Sequence, residues 1–150
     1  MSNEQKIITK IKESIFDPLQ SEILKEELRE ENQYIILPRS IFTKKTSTFE
    51  SICKYLKEDQ NLTYTEIAHL LKREYKTISV TYTNAKHKHP KRFTKTKDIV
   101  LTPASIYKQD STILSTIIKF LKDENVLTYK QIADILHRDQ RTIWTIYNRK

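Results

Sequence analysis

The stretch Leu62-Thr63-Tyr64-Thr65-Glu66-Ile67-Ala68 decides the fold, because it returns later in the chain as Leu127-Thr128-Tyr129-Lys130-Gln131-Ile132-Ala133. With these two stretches superimposed, positions 36–85 align with positions 101–150 without a gap, and 17 of these 50 positions are identical. A match of this length at one fixed offset indicates a tandem duplication of a single fold unit.

Each copy predicts three helices after a short leader. Thr63–Glu66 and Thr128–Gln131 have the spacing of a capping box, and Ser47–Glu50 has it one helix earlier. Apolar residues recur after each cap at helical spacing. Pro38 predicts a short helix through Phe42. A short second helix, a three- to four-residue turn and a last helix of about eleven residues are typical of a helix-turn-helix.

Composition excludes several function classes. The 150 residues include no glycine and one cysteine, and the formal net charge is +8. Phosphate-binding loops, dinucleotide fingerprints and nucleophile elbows all need glycine at fixed positions. No metal-ligand cluster and no nucleophile with a base stands out either. We therefore expect a protein that is not an enzyme and that uses no cofactor and no metal.

The same composition favours a cytoplasmic nucleic-acid-binding protein. No apolar run approaches the ~20 residues that span a bilayer, and the polar start of the chain is unlike a secretory signal. We expect no membrane contact. A strongly basic balance is typical of proteins that bind a polyanion, with nucleic acid the first candidate.

The fold class predicted from these features is all-α. Two-residue hairpin turns favour glycine or Asn, and this chain has no glycine, so helices are favoured over β-hairpins. We expect an N-terminal helical extension followed by two duplicated three-helix helix-turn-helix domains. The predicted boundaries are residues 1–34 for an amphipathic helical extension, 35–88 for the first repeat, 89–99 for a basic linker and 100–150 for the second repeat.

The N-terminal extension differs from the rest in charge. Residues 1–35 carry five basic and eight acidic side chains, whereas residues 36–98 carry fourteen and six. A net negative segment disfavours DNA contact. Three roles stay open for it: packing on the first repeat, pairing with a second chain in a homodimer, or covering a basic face as an acidic lid.

The pattern Leu62-Thr63-Tyr64, Glu66-Ile67-Ala68, Leu71, then Thr77-Ile78 and Tyr82, resembles the helix-turn-helix of region 4 of sigma-70-type factors. Residues 127–150 are similar. The resemblance implies that the last helix of each repeat enters the major groove and that Thr77 and Thr142 meet phosphates. The family usually has glycine in the turn, where this chain has Lys72 and His137. A left-handed non-glycine residue costs about 1 kcal/mol, so a distorted turn is expected.

The helical phase predicts which side chains contact DNA. With Ile78 and Tyr82 facing the core, the outer face of the last helix carries Tyr75, Lys76, Ser79, Val80 and Thr83 in the first repeat, and Gln140, Arg141, Trp144, Thr145 and Asn148 in the second. Arg, Gln and Asn pair with base edges, so the second repeat is the better sequence reader. For Trp144, contact with DNA or a partner and packing on a neighbouring segment both stay open.

Basic side chains beside these helices predict further phosphate contacts. They are Arg73, Lys86, Lys88, Lys91, Arg92, Arg138 and Arg149. For the two turn arginines we favour a phosphate contact over a local ion pair. Each neutralised phosphate adds about −0.9 to the slope of log affinity against log salt.

The function predicted from the sequence is binding of double-stranded DNA in the control of transcription. Two copies joined in one chain predict direct-repeat-like or unequal half-sites, and a palindrome of such pairs if the N-terminus dimerises. The main alternative is a protein-interaction adaptor that docks on RNA polymerase or another partner. Binding of structured RNA is a weaker alternative.

Overall fold

A computed structural model of the chain describes residues 34–149. The helices and the homodimer contact predicted within residues 1–34 therefore lie, except for Tyr34, outside the described residues. The first half contains strand β1 (Tyr34–Pro38), a short 3-10 helix (Arg39–Ile41) and helices α1 (Thr48–Glu58), α2 (Tyr64–Leu71) and α3 (Tyr75–Lys88). The second half contains strand β2 (Ile99–Pro103), a short 3-10 helix (Ala104–Ile106) and helices α4 (Ile113–Asp123), α5 (Tyr129–Leu136) and α6 (Gln140–Asn148).

The order of elements is the same in both halves. Each element of the second half begins at the position that the duplication aligns with the start of its counterpart, as Tyr129 of α5 aligns with Tyr64 of α2. The counterparts also end together, except that α3 has 14 residues and α6 has nine. The three helices predicted for each copy are thus present at the expected positions.

The described part of the chain is mostly helical, with six α-helices and one small two-stranded sheet. The prediction of an all-α fold is therefore wrong in one respect. The absence of glycine argues against tight hairpins, but β1 and β2 belong to different repeats, far apart in sequence, and need no hairpin turn to pair. Both strands are runs of β-branched and aliphatic residues, which favour extended structure.

The sheet relates the two repeats by a local two-fold axis. β1 and β2 are antiparallel, and Ile36 lies opposite Leu101, which is its own counterpart in the second repeat. Tyr34 faces Pro103, and Pro38 faces Ile99, so the register is the same read from either strand. The expectation of direct-repeat order assumes a head-to-tail arrangement, and the ladder has the opposite, two-fold arrangement.

The two repeats share one hydrophobic core. Leu37, Ile41 and Ile52 of the first repeat and Tyr107 and Ile117 of the second are almost fully buried within a single cluster. The Tyr107 hydroxyl hydrogen-bonds the Thr102 hydroxyl of β2 at 2.8 Å. Because the core crosses the boundary between the repeats, the two units are held in one fixed relation.

Residues 89–98 fold back on the first repeat instead of forming a free tether. The Phe93 side chain is buried, and its ring lies 4.9 Å from Nζ of Lys54. Lys54 is fully buried, pairs with the Glu58 carboxylate and donates to the Lys91 carbonyl oxygen at 2.9 Å. The segment that sequence analysis treats as a linker is therefore part of the packed structure.

Candidate nucleic-acid interface

Helices α2 and α5 precede α3 and α6, which are the candidate DNA-reading helices. A capping box determines where α2 and α5 each begin. The Thr63 hydroxyl accepts from the backbone N–H of Glu66 at 3.1 Å, and the Glu66 carboxylate accepts from the backbone N–H of Thr63 at 3.0 Å. Thr128 and Gln131 make the same reciprocal pair at 3.1 and 2.9 Å. The capping boxes predicted for α2 and α5 are confirmed, and they satisfy two otherwise unpaired donors at each helix start.

The turn that follows is regular in both repeats. Lys72 has φ 54° and ψ 50°, and His137 has φ 52° and ψ 47°, so each takes the left-handed conformation that glycine favours. The next amides, of Arg73 and Arg138, donate to the carbonyl oxygens of Ala68 and Ala133 at 3.0 and 3.1 Å. The expected distortion of the turn is absent, and the chain accepts a strain of about 1–2 kcal/mol at each site instead.

Contacts made by their inward faces fix the rotation of α3 and α6 about their axes. Ile78 and Ile143 are fully buried. The Tyr82 hydroxyl donates to the Glu58 carboxylate at 2.9 Å, and the Tyr147 hydroxyl donates to the Asp123 carboxylate at 2.6 Å. Burial, and then the hydrogen bond to Glu58, raise the pKa of Tyr82 to about 12. The inward faces expected from the helical phase are therefore the observed ones.

Aromatic packing supports the same orientation. Tyr64 makes an edge contact with Tyr75 at 5.6 Å and lies 5.9 Å from Tyr82, and Tyr129 makes an edge contact with Tyr147 at 5.8 Å. Tyr64 and Tyr129 thus stabilise the helices by ring packing.

The outer face of α3 is exposed but weakly polar. Six predicted contact residues are exposed: Tyr75, Lys76, Thr77, Val80, Thr83 and Lys86. Ser79 is half-buried. Tyr75 and Val80 leave 56% and 51% of their surface in solvent. This face offers one long cation at its start and several small side chains, which suits contact with a phosphate backbone better than base reading.

The outer face of α6 carries the stronger hydrogen-bonding groups. All seven predicted residues are exposed: Gln140, Arg141, Thr142, Trp144, Thr145, Asn148 and Arg149. Within residues 34–149, no hydrogen bond or ion pair engages the guanidinium of Arg141. The Thr145 hydroxyl and the Asn148 amide donate back to carbonyl oxygens of α6 at 2.9 Å each. Trp144 is 53% exposed, so its ring is available to a partner. The side chains best suited to pair with base edges lie at the first turn of α6.

Arg73 and Arg138 both make contacts between the repeats. The Arg73 guanidinium donates to the Lys108 carbonyl oxygen at 2.8 Å and also to that of Ser111. The Arg138 guanidinium donates to the carbonyl oxygens of Thr43 and Thr46 at 3.2 and 3.0 Å. Both arginines also donate to carbonyl oxygens of their own turns. The guanidinium donors of both arginines therefore point at backbone oxygens of the other repeat, and the phosphate contacts of Arg73 and Arg138 stay predictions.

Two other side chains predicted to contact phosphates, Lys88 and Arg92, also make contacts within the protein. The Lys88 ammonium pairs with the Glu50 carboxylate at 2.9 Å, and the Arg92 guanidinium donates to the Glu58 carbonyl oxygen. Both side chains are exposed beyond these contacts. Lys91 is exposed, and its carbonyl oxygen accepts from Lys54. Contacts of Lys88, Lys91 and Arg92 therefore hold residues 88–98 against α1.

The contact between repeats places two lysines where the sequence does not predict them. Because Arg138 binds Thr43 and Thr46, the loop between these threonines lies beside the turn that leads into α6. Lys44 and Lys45 of this loop are exposed. At the equivalent place beside α3 the chain has Gln109 and Asp110. Positive charge from the first repeat thus lies near the start of α6 in the second. This proximity follows from the contact between the repeats and could not be predicted from the sequence.

Other chemistry is sparse in the part of the chain that the structure describes. No group of three or more His, Cys, Asp or Glu side chains is placed to hold a metal ion among residues 34–149. Cys53 is a free, buried thiol whose pKa is raised by burial. His89 packs on the Phe93 ring at 4.8 Å, and its Nδ1 contacts the Lys91 carbonyl oxygen. Among the described helices, none is long and apolar enough to span a membrane.

Comparison of the chain with family models, with curated proteins and with solved structures finds no match.

Proposed function

We propose that this protein binds double-stranded DNA with sequence preference and acts in the control of transcription, with each repeat serving as a helix-turn-helix. The observation that carries the proposal is the outer face of α6, where Gln140, Arg141 and Asn148 are exposed on a helix whose rotation is fixed by Ile143 and Tyr147. Arg on guanine and Gln or Asn on adenine are the side-chain pairings that read the major groove.

The charge distribution supports the same proposal. The whole chain carries a formal net charge of +8, and Lys44, Lys45, Lys76 and Lys86 are exposed on or near the two reading helices. Lysines at the edge of a reading helix hold the phosphate backbone, while the helix itself contacts base edges. The resemblance of both repeats to region 4 of sigma-70-type factors implies the same docking of α3 and α6.

The test is selection from a pool of random duplex DNA, followed by sequencing, at two salt concentrations. We expect an enriched motif and an affinity that falls as salt rises, because bound lysines and arginines release counterions from the phosphates. An Arg141→Ala chain should bind with less sequence information. Failure to bind any duplex, even at low salt, contradicts the proposal.

A second candidate function is docking on a protein partner such as RNA polymerase. Specific support comes from the exposed apolar surface of the same helices, since Tyr75, Val80 and Trp144 each leave more than half of their surface in solvent. Exposed aromatic side chains are enriched at protein interfaces. Pull-down with purified RNA polymerase, with Trp144→Ala as the matched variant, separates the two: this role predicts polymerase binding that requires Trp144 and does not require DNA.

A further inference from the structure

The starting point is the symmetry of the β-ladder. Ile36 pairs with Leu101, and the two are the same position of the two repeats. An antiparallel ladder centred on such a pair is unchanged by a half-turn about its centre. The two repeats are therefore related as the two subunits of a two-fold dimer are, although they belong to one chain.

A second, independent contact obeys the same symmetry. Arg73 of the first repeat contacts Lys108 and Ser111 of the second. Arg138, its counterpart, contacts Thr43 and Thr46, which are the counterparts of Lys108 and Ser111. This pair of reciprocal contacts, called here the arginine clasp, lies just before the starts of α3 and α6. The two-fold relation thus extends to the reading helices.

A two-fold rotation has a fixed consequence for DNA reading. For any vector, a two-fold rotation keeps the component parallel to the axis and reverses the component perpendicular to it. The outer faces of α3 and α6 therefore have equal components along the axis, and the components of the two helices across the axis are opposite. Double-stranded DNA has two-fold axes of its own, so a two-fold pair of readers matches half-sites on opposite strands.

From this geometry we infer that a single chain recognises one inverted pair of half-sites at a fixed spacing. The inference rests on the proposed function and names the form of its DNA target. The two half-sites differ in sequence, because Lys76 and Ser79 of α3 are replaced by Arg141 and Trp144 in α6. The target is inverted in orientation but not a strict palindrome. Of the two forms that the sequence predicts, direct-repeat-like or unequal half-sites, it has unequal half-sites.

The fixed spacing follows from how the repeats are joined. They share one hydrophobic core, the β-ladder and the arginine clasp. The connecting residues 89–98 are themselves packed on the first repeat through Phe93 and Lys54. A flexible tether would accept many spacings, whereas a shared core fixes the separation of α3 and α6 and therefore favours one spacing of the half-sites.

The experiment makes the two reading helices equivalent, so that orientation can be read directly. In one full-length variant, the outer face of α3 takes the side chains of α6 through Tyr75→Gln, Lys76→Arg, Ser79→Trp, Val80→Thr and Thr83→Asn. These five positions are exposed or half-buried, so none belongs to the buried core, and the packing contact that is lost is the edge contact of Tyr75 with Tyr64. Thermal unfolding of the variant checks that its fold is kept.

We expect the variant to select a true palindrome from random duplex DNA. A duplex with two inverted half-sites should bind about 10²-fold more tightly than one with the same half-sites in direct order, because only the inverted pair engages both helices at once. Changing the spacing by about five base pairs, half a helical turn, should remove this advantage. In the natural chain, the selected motif should have the same spacing, and Arg141→Ala should relax the preference at one position within one half of it.

Each other outcome is decisive. Selection of direct repeats, or equal binding to single half-sites and inverted pairs, overturns the inference and leaves the proposed DNA binding in place. Absence of salt-dependent binding to any duplex, for both the natural chain and the variant, overturns the proposed function and the inference with it. If the variant fails to fold, the orientation and spacing of the two halves in the natural chain's motif decide the matter.

Discussion

Arg73 and Arg138 make the same contact in opposite directions across the boundary between the repeats. Each guanidinium donates to two carbonyl oxygens of the other repeat and to carbonyl oxygens of its own turn. Hydrogen bonds from a charged donor contribute about 1.5–3 kcal/mol each when they are well formed. The clasp therefore stabilises the relation between the repeats on which any two-site reading depends.

Replacing either clasp arginine should destabilise the protein. For Arg73→Ala and for Arg138→Ala we expect the free energy of unfolding to fall by about 2 kcal/mol, because the facing carbonyl oxygens lose their donors. Urea unfolding followed by circular dichroism measures this. The control is Arg141→Ala, an exposed arginine of α6, which should stay within about 0.5 kcal/mol of the natural chain. Unchanged stability combined with weaker DNA binding would return both arginines to the phosphate-contacting role.

The two reading helices should respond differently to loss of their first cation. Arg141→Ala removes a side chain suited to a bidentate base contact, so we expect affinity for the selected duplex to fall by about 1–3 kcal/mol, with relaxed preference at one position. Lys76→Ala should weaken binding evenly across sequences and reduce the salt slope by about 1. Fluorescence anisotropy at several salt concentrations gives both quantities.

The matched control for this pair is Lys119→Ala, an exposed lysine of α4 outside both reading helices. It should leave sequence preference unchanged. Relaxed preference in Lys76→Ala, with preference retained in Arg141→Ala, would assign base reading to the first repeat instead.

Lys54 and Lys119 occupy the same position of the two repeats, yet only Lys54 is buried. Its ammonium is enclosed by Glu58, the Lys91 carbonyl oxygen and the Phe93 ring. Lys54→Met should lower the free energy of unfolding by about 3 kcal/mol, since breaking a buried pair leaves its partners unsatisfied. It should also speed proteolysis at Lys91 and Arg92. Lys119→Met should change neither property, and equal effects of the two substitutions would contradict the packed position of residues 89–98.

Local features of this fold are visible in the sequence because their causes are local. Thr63 and Glu66 lie one helical turn apart and satisfy each other's backbone donors, so the start of α2 follows from spacing alone. Likewise, the burial of Ile78 and the position of Tyr82 follow from helical phase. These features place the outer faces of α3 and α6 without any knowledge of tertiary structure.

Features that join the repeats are not visible in the same way. The runs at Ile35–Leu37 and Val100–Thr102 favour strands, but nothing near either run indicates that its partner lies in the other repeat. Arg73 and Arg138 occupy the same position of the two repeats. This identity indicates that they share a role but does not show which role it is. A guanidinium suits a phosphate and a set of carbonyl oxygens equally well, so only the arrangement of the repeats distinguishes the two roles.

Stability should depend on pH through Glu50. Burial raises the pKa of this carboxyl group, but the Ser47 backbone N–H and the Lys88 ammonium lower it more, so the net shift is downward. A lowered pKa means that the group stabilises the fold above its unfolded-state pKa of about 4.3, and that this contribution is lost as pH falls through the folded-state value.

Glu50→Gln isolates this contribution, because glutamine preserves the capping box, as Gln131 does in the second repeat. We expect the variant to be about 1 kcal/mol less stable than the natural chain at neutral pH. The difference should shrink as the pH falls through the folded-state pKa of Glu50, because the natural carboxyl group then becomes protonated too. Urea unfolding across an acid pH series measures it, and a difference that does not change with pH would exclude the ionised carboxylate as its source.

The turns before the reading helices offer a test in the opposite direction, toward greater stability. His137 lies in the left-handed region, where its Cβ is unfavourable by about 1–2 kcal/mol. His137→Gly should therefore raise the free energy of unfolding by about 1 kcal/mol, part of the relief being offset by the greater freedom of glycine in the unfolded chain. Lys72→Gly should gain less, because the Lys72 ammonium also donates to the Ala104 carbonyl oxygen at 3.3 Å.

The control for these glycine substitutions lies within a helix. Arg141→Gly, in the first turn of α6 where the backbone is helical, should lose up to about 1 kcal/mol, because glycine weakens a helix without relieving strain. Opposite signs for His137→Gly and Arg141→Gly in urea unfolding would demonstrate the left-handed turn in solution. A loss of stability for both substitutions would mean that the turn has another conformation. The angle between α5 and α6 would then differ as well.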